Sequence, residues 1–356
     1  VLQVVVIGAG QAGLSAAYHL QRQGLRPARD FLVLDANEGP GGAWRHRWDS
    51  LTFGTAHNIH DLPAMELGTP DPTEPASSVV ARYYGDYEQE FGLEVRRPVR
   101  VQKVEGFDGG LTVHTDKGTW ETRLLINATG TWDRPYWPYY PGRELFRGRQ
   151  LHTHDFVSAD EFRSKRVVVV GAGTSAVQFL LKLADAGART TWVTRRPPSF
   201  TDRTFDSEWG RDVERRVHSR TKAGLPPSSV VSVTGLPLTA QYRAGIESGV
   251  LRSRGPLRRI TETGIELDGG VMVPADVILW ATGFRAALDH LQPLKLREPG
   301  GGIRMDGVTV LKDERVLLVG YGASASTLGA TRAGRAAANQ AVRRLGSMEQ
   351  QEALAG

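Results

Sequence analysis

Short apolar runs alternate with glycine turns and amphipathic stretches along this chain. Residues 3–7 (QVVVI) form a β-branched run, apolar from Val4 onward, which predicts a strand covered on both faces. Behind it, Leu14, Ala17, Tyr18 and Leu20 recur at helical spacing, and residues 31–34 predict a second strand. Val80, Tyr84, Tyr87 and Phe91 share one face of a helix that Ser77 or Ser78 would cap. Residues 93–122 alternate, with turn signals at Asp108-Gly109-Gly110 and Lys117-Gly118, the pattern of a β-meander; the apolar run 124–126 follows. The opening logic then repeats: a strand at 166–170, a helix through Val177, Leu180, Leu181 and Leu183, and a strand at 190–193. Residues 200–237 are polar and basic, with a helix predicted at 208–222 and no readable motif. A hairpin pattern at 257–273, strands at 276–280 and 315–319, and a helix at 326–345 complete the chain. Two strand–turn–helix–strand units predict an α/β fold of two Rossmann-like dinucleotide-binding domains, with the meander in the first.

The turns carry the chemistry. In Gly8-Ala9-Gly10-Gln11-Ala12-Gly13, Gly8 permits the tight turn, Gly10 lets phosphates approach the backbone, and Gly13 lets helix and strand pack closely. Gly171-Ala172-Gly173-Thr174-Ser175-Ala176 is the second copy, and the free N–H groups opening each helix can hold a pyrophosphate. Asp35, at the end of the second strand, can accept both ribose hydroxyls of an adenosine and would repel a 2′-phosphate, so the first site favours FAD or NAD. At the equivalent place the second unit has Thr194-Arg195-Arg196. Guanidinium forks match phosphate oxygens, so this site suits NADPH.

Composition narrows the classes. A chain of 356 residues with 40% hydrophobic content has room for two domains. The 44 Lys+Arg against 39 Asp+Glu are spread along it, which favours anionic cofactors and argues against nucleic acid. No apolar run approaches the roughly 18–20 residues of a membrane span, and the sequence opens on a strand, so a soluble cytoplasmic protein is expected. With no cysteine, disulfides, thiolate metal sites and dithiol redox chemistry are excluded. The His57/His60 spacing is a weak metal signal, and no metal is expected.

Between the two units lies Phe146-x-Gly148-x-x-x-His152-x-x-x-Phe156, which resembles the linker fingerprint of class B flavin-dependent monooxygenases, the FMO-like proteins related to Baeyer–Villiger monooxygenases and N-hydroxylases. Gly41-Gly42-Ala43-Trp44 resembles the GG-x-W segment of that family. Residues 50–63 resemble its S-L-x-x-x-T-P stretch, with Thr55 kept, Ala56 in place of the proline and Gly54 in place of an asparagine. Ala128-Thr129-Gly130 and Ala281-Thr282-Gly283-Phe284 resemble its two ATG segments. A late glycine turn at Gly320 precedes the last helix. Its neighbour Tyr321 stands where relatives often carry an aspartate, leaving Ser324 and Thr327 as polar substitutes.

The resemblance implies an FAD domain from residues 1–155 and 286–356, interrupted by an NADPH domain at 160–285. It implies that Gly42, Trp44, Thr55, Ala128, Thr129, Gly130 and Gly320 serve FAD, that Ala281, Thr282 and Gly283 stand at the return between domains, and that His152, with Phe146, Gly148 and Phe156, serves catalysis. NADPH would reduce FAD, and O2 would give a C4a-(hydro)peroxyflavin that passes one oxygen atom to a small organic substrate. Because Phe156-Val157 differs from the Trp-Pro or Trp-Asp ending of Baeyer–Villiger members, an N or S atom is the first choice of acceptor. Ketone oxygenation and an NADPH oxidase releasing H2O2 are the alternatives, and a homodimer is the assembly considered.

Overall fold

The computed structural model describes residues 1–56, 59–202, 218–227, 235–322, 325 and 327–355. In chain order its strands are β1 (Leu2–Ile7), β2 (Phe31–Leu34), β3 (Val101–Phe107), β4 (Gly110–Thr115), β5 (Gly118–Asn127), β6 (Arg149–His152), β7 (Arg166–Val170), β8 (Arg189–Val193), β9 (Phe200–Thr201), β10 (Leu236–Pro237), β11 (Leu257–Thr261), β12 (Gly264–Leu267), β13 (Met272–Pro274), β14 (Val277–Trp280), β15 (Met305–Asp306), β16 (Thr309–Val310) and β17 (Val316–Leu318). Its α-helices are α1 (Gln11–Arg22), α2 (Ala76–Glu90), α3 (Thr174–Asp185), α4 (Ala240–Glu247) and α5 (Thr327–Ala355). Chain contacts divide these into two compact units, one of Val1–Thr131, Glu214–Ser228 and Ala286–Gly356, the other of Trp132–Val213 and Ser229–Arg285, so far as these are described.

The first unit is built on a sheet ordered β15-β16-β17-β5-β1-β2, in which β17, β5, β1 and β2 run parallel. β5 has two jobs that the sequence pattern separates. Its first half pairs antiparallel with β4 in the meander, and its second half continues as the parallel partner of β1, with Ile126 opposite Val6. Val4 and Val6 face α1 and α5, while Val5 and Ile7 face a second layer with Leu125, Leu288 and Leu318. α5 lies close on α1: a Cβ on Gly334 would stand 2.4 Å from the Ala12 carbonyl oxygen, and Ser15 Oγ donates to Thr331 O at 2.8 Å. α5 runs ten residues past the predicted end at 345, because Met348, Glu349, Gln350 and Gln351 are helix formers with no breaker among them. α2 is capped at Pro75, not by Ser77 or Ser78; Pro75 at φ −54° sets the entry, which places Ser77 inside the buried face.

The second unit carries an all-parallel sheet, β6-β14-β7-β8, with Trp280 opposite both His152 and Val170. Beside it, β11, β12 and β13 form a three-stranded antiparallel sheet where the sequence pattern suggested a hairpin. Residues 208–217 of the predicted 208–222 helix lie outside the described residues; 218–222 are helical. Among the described residues no helix is long and apolar enough to cross a membrane.

Candidate cofactor sites and the fingerprint strand

In the first unit, three loops converge at the ends of β1 and β5. Gly8 has φ +99°, and a Cβ there would lie 2.5 Å from Ala128 O; one on Gly13 would lie 1.8 Å from Gly8 O. Gly10 differs. It is the extended N-cap of α1, no side chain caps that helix, and a Cβ at Gly10 would meet only Gly42 Cα, at 3.9 Å. Gly42, at φ +53°, sits against Gly10, and Gly320 sits against Gly130. The loops thus leave an uncapped helix start with space in front of it, a cradle that fits a pyrophosphate. Gln11 and Ala12 open α1, and the Gln11 amide donates to Thr331 Oγ1 at 2.8 Å.

Asp35 is buried at the end of β2, and its carboxylate is already oriented. Arg97 Nε donates to Oδ2 at 3.1 Å, while the backbone and side-chain N–H groups of Asn37 approach Oδ1 at 3.4 and 3.3 Å. The Arg97 guanidinium also forks onto both oxygens of Glu88, each at 2.6 Å. A carboxylate oxygen has two acceptor directions, so this arrangement still suits a ribose hydroxyl. No local pattern marks this network, whose members Glu88 and Arg97 lie 53 and 62 residues from Asp35.

Ala128 is buried beneath the Gly8 turn, and Thr129 Oγ1 donates to Ala287 O at 2.7 Å while accepting from Asn127 Nδ2 at 2.9 Å. Asn127 Oδ1 in turn accepts from His290 Nε2 at 2.6 Å. Trp44 is half-buried against the first core, with Arg47 over its ring at 5.8 Å. Thr55 stands apart from the glycine loops in its hydrogen bonding, which returns to Thr52 within its own turn. Tyr321 turns into the core, its hydroxyl accepting from Ile303 N at 2.9 Å. His57, Asn58, Ser324 and the Thr327 side chain lie outside the described residues. Residues 218–227 pack within this unit, Thr221 against Gly322 and Leu225 against Gly302, beside a cleft of about 430 Å³ lined by Lys222, Glu298 and Arg304.

The second unit repeats the geometry. A Cβ on Gly171 would lie 2.1 Å from Ala281 O, matching Gly8 on Ala128, whereas Gly173, the extended and uncapped N-cap of α3, has nothing within 4 Å. Ala176 replaces the third glycine and is fully buried, so this helix tolerates a methyl where α1 does not. Thr174 and Ser175 open the helix, with Ser175 exposed. Thr282 Oγ1 donates to Tyr136 O at 2.5 Å, and Gly283 takes φ +76°. Arg195 and Arg196 are exposed just past the end of β8. Both sites fit the phosphates of a dinucleotide.

The fingerprint is a strand with its flanks. Residues 149–152 (RQLH) have no strand-like pattern; pairing with β14 makes β6. A Cβ on Gly148 would stand 2.4 Å from Asp276 O and 2.5 Å from the Phe146 ring, so glycine is what lets that ring fold back onto the chain and enter the core beside Trp280. Phe156 packs edge-on to Phe179 at 4.6 Å and parallel to Phe162. His152 is 0% exposed. Its Nδ1 accepts from His154 N at 3.0 Å, so Nε2 carries the proton and donates to Gly283 O, also at 3.0 Å. The imidazole thereby ties the fingerprint strand to the Ala281-Thr282-Gly283 turn.

Burial pushes both His152 and His290 down to about 4 from an ordinary 6.5. As pH falls below 6.5 the unfolded chain takes up these protons first, so the stability is fully present above 6.5 and drains away towards 4. By pH 5 each histidine should cost about 2 kcal/mol. Denaturation midpoints between pH 7.5 and 5 check this: His152→Gln and His290→Gln should each flatten the decline, and a wild type equally stable at both ends would contradict it.

Comparison with known proteins agrees with this geometry. A family profile described as pyridine nucleotide-disulphide oxidoreductase matches residues 5–231; with no cysteine in the chain, the disulphide part of that description has no dithiol here. The flavin-containing monooxygenase from Stenotrophomonas maltophilia is 34% identical, superimposes with a TM-score of 0.80, and is covered over 98% of its chain by 96% of this one. An uncharacterised CzcO-like oxidoreductase of Geobacillus kaustophilus is 26% identical over 318 residues, 88% of this chain and 89% of that one. The indole-3-pyruvate monooxygenase YUCCA1 of Oryza sativa subsp. japonica is 27% identical over 346 residues, 86% of this chain and 81% of that one. The chain therefore belongs to the class B flavin monooxygenases, oxidoreductases that use FAD and NADPH on two Rossmann-type domains.

Proposed function

We propose that this enzyme transfers one oxygen atom from O2 to a nitrogen or sulfur atom of a small organic substrate at the expense of NADPH. The observation that carries the choice of acceptor is the end of the fingerprint: Phe156 is locked between Phe162 and Phe179 and is followed by Val157, which is 66% exposed. That ending is the FMO and N-hydroxylase style, without the Trp-Pro or Trp-Asp of ketone-oxygenating relatives. In this reading the first unit is the FAD domain and the second the NADPH domain. Gly8, Gly10, Gly13, Gly42 and the Ala128-Thr129-Gly130 turn hold the FAD pyrophosphate, with Asp35 on its ribose. Gly171, Gly173 and the start of α3 hold the NADPH pyrophosphate, with Arg195 and Arg196 on the 2′-phosphate.

Bound FAD supplies the oxygen chemistry and NADPH the reducing equivalents. The chain's own residues position and exclude water. His152 has both nitrogens committed to backbone groups, so it acts as a positioning residue that holds the Gly283 turn. Phe146, Gly148 and Phe156 fix the strand on which it sits.

A second reading, oxygenation next to a carbonyl carbon, is favoured by the rice relative, whose named substrate is a 2-oxo acid. A panel of a tertiary amine, a thioether and a cyclic ketone, supplied with NADPH and O2 and analysed by mass spectrometry, separates the two. The N-oxide or sulfoxide should be the main product; a lactone as main product would move the assignment to the second reading.

A further inference from the structure

Just beyond β8 the second unit has a cleft of about 330 Å³. One wall is the segment Thr194-Arg195-Arg196-Pro197-Pro198. The other comes from a loop that the sequence motifs do not mark, with Leu251, Arg252, Ser253, Gly255 and Pro256. This second wall is fixed to the first. Thr194 Oγ1 and Ser253 Oγ are 2.6 Å apart, Thr194 N donates to Gly255 O at 3.2 Å, Gly255 N donates to Ser253 Oγ at 3.2 Å, and Arg254 N donates to Trp192 O at 2.9 Å. Arg252 is therefore carried on backbone anchored on its C-terminal side, opposite Arg195 and Arg196.

The lining has a distinctive charge. Among the described residues three guanidinium groups line one cleft, no carboxylate lines it, and none of the three is ion-paired. Several arginines elsewhere in this unit are matched, Arg166 with Asp276 and Arg258 and Arg259 with Glu266. Like charges gathered without counter-ions repel one another, and a dianionic phosphate ester relieves the repulsion while accepting from each fork. Pro197, Pro198, Leu251 and Pro256 add apolar surface suited to a flat heteroaromatic ring.

We infer that this cleft is a 2′-phosphoadenosine subsite and that Arg252, on the second wall, is a third phosphate ligand that sets the preference for NADPH over NADH. The inference rests on the assignment of Arg195 and Arg196 to the 2′-phosphate. It goes further in making specificity depend on a loop almost sixty residues away in sequence.

The test uses the FAD-loaded enzyme with adenosine 2′,5′-bisphosphate and adenosine 5′-monophosphate as probes in calorimetry, beside steady-state kinetics with NADPH and NADH. Arg252 is exposed, so Arg252→Ala should keep its flavin and melting temperature. It should bind the bisphosphate about 10- to 100-fold more weakly, and its NADPH-to-NADH ratio of kcat/KM should fall by a similar factor. Arg252→Lys should recover part of the loss. If Arg252→Ala leaves the ratio unchanged while Arg195→Ala/Arg196→Ala collapses it, the inference is wrong and the two-arginine assignment stands. If neither variant changes the ratio, that assignment fails and the inference with it. Equal weakening of both probes by Arg252→Ala would make the loop a structural element only, which also overturns it.

Discussion

Gly10→Val should give a folded protein that has lost nearly all its FAD, while Gly13→Val should fail to reach the native fold. The two glycines share a motif and differ in surroundings. At Gly13 a Cβ would stand 1.8 Å from Gly8 O, so α1 could not begin where it does without breaking the turn. Overpacking typically costs about 1–3 kcal/mol, and a collision with backbone that cannot rotate away lies above that range. At Gly10 the backbone is extended, at φ −80°, which any residue adopts, and the nearest atom to a Cβ is 3.9 Å away. A Cβ there makes only ordinary contact with Gly42, and a valine side chain would occupy the space assigned to the pyrophosphate. Absorbance at the flavin band relative to protein, measured with the melting temperature of FAD-stripped samples, separates the cases. Gly10→Val with wild-type flavin content would mean that the pyrophosphate lies elsewhere; Gly13→Val with wild-type stability would mean that α1 is packed differently.

Arg97→Ala should cost the first unit about 3–5 kcal/mol, the range for removing one partner of a buried ion pair. Arg97, Asp35 and Glu88 have side chains only 11%, 7% and 12% exposed, so the arginine's loss leaves two carboxylates in low dielectric with no cation. Burial already pushes the Glu88 carboxyl above its ordinary value, even with Arg97 on both oxygens. Without the guanidinium the burial that already raises Glu88 is no longer opposed, so its carboxyl should favour protonation further, and the variant's deficit should be largest at pH 8 and smaller towards pH 5. Arg97→Ala/Glu88→Ala should lose less than the sum of the two single changes, because the pair is coupled. Chemical denaturation at pH 8 and pH 5 measures all of this. A deficit under about 1 kcal/mol at both pH values would show that the network is not load-sharing in solution. Asp35 would also lose its orienting partner, so FAD affinity should fall along with stability.

How much of this was legible in the sequence depended on how local each cause is. β1, β2 and β7 are largely apolar runs and β8 is a β-branched one, each followed by special residues, and their limits were readable to within a residue or so. The glycine loops were equally plain, because the need for glycine arises from contacts within one βα turn. β6 was not legible as a strand: RQLH acquires extended structure only by pairing with β14, more than a hundred residues later. β5 was divided at the wrong place because its two halves have different neighbours, a meander on one side and the parallel sheet on the other. The Arg97 fork on Asp35, the His290–Asn127–Thr129 chain and the Arg252 wall left no local mark at all, since each joins residues distant in sequence. The resemblance singled out His152, and no signal in the sequence names its hydrogen-bond partners. Full burial and two backbone partners make it a clamp on the Gly283 turn. By contact, residues 132–155 group with the second unit, whereas the resemblance placed them in the first domain.

In the proposed reaction, reducing power from NADPH puts an oxygen atom into a substrate. The most direct measurement is turnover under oxygen-18 gas with the best substrate of the amine, thioether and ketone panel, with H2O2 and NADPH consumption followed in the same vessel. Product should carry one oxygen-18 atom for nearly every NADPH consumed, with little peroxide. Peroxide in step with NADPH and no label in any organic product would contradict that reaction and make this chain an NADPH oxidase.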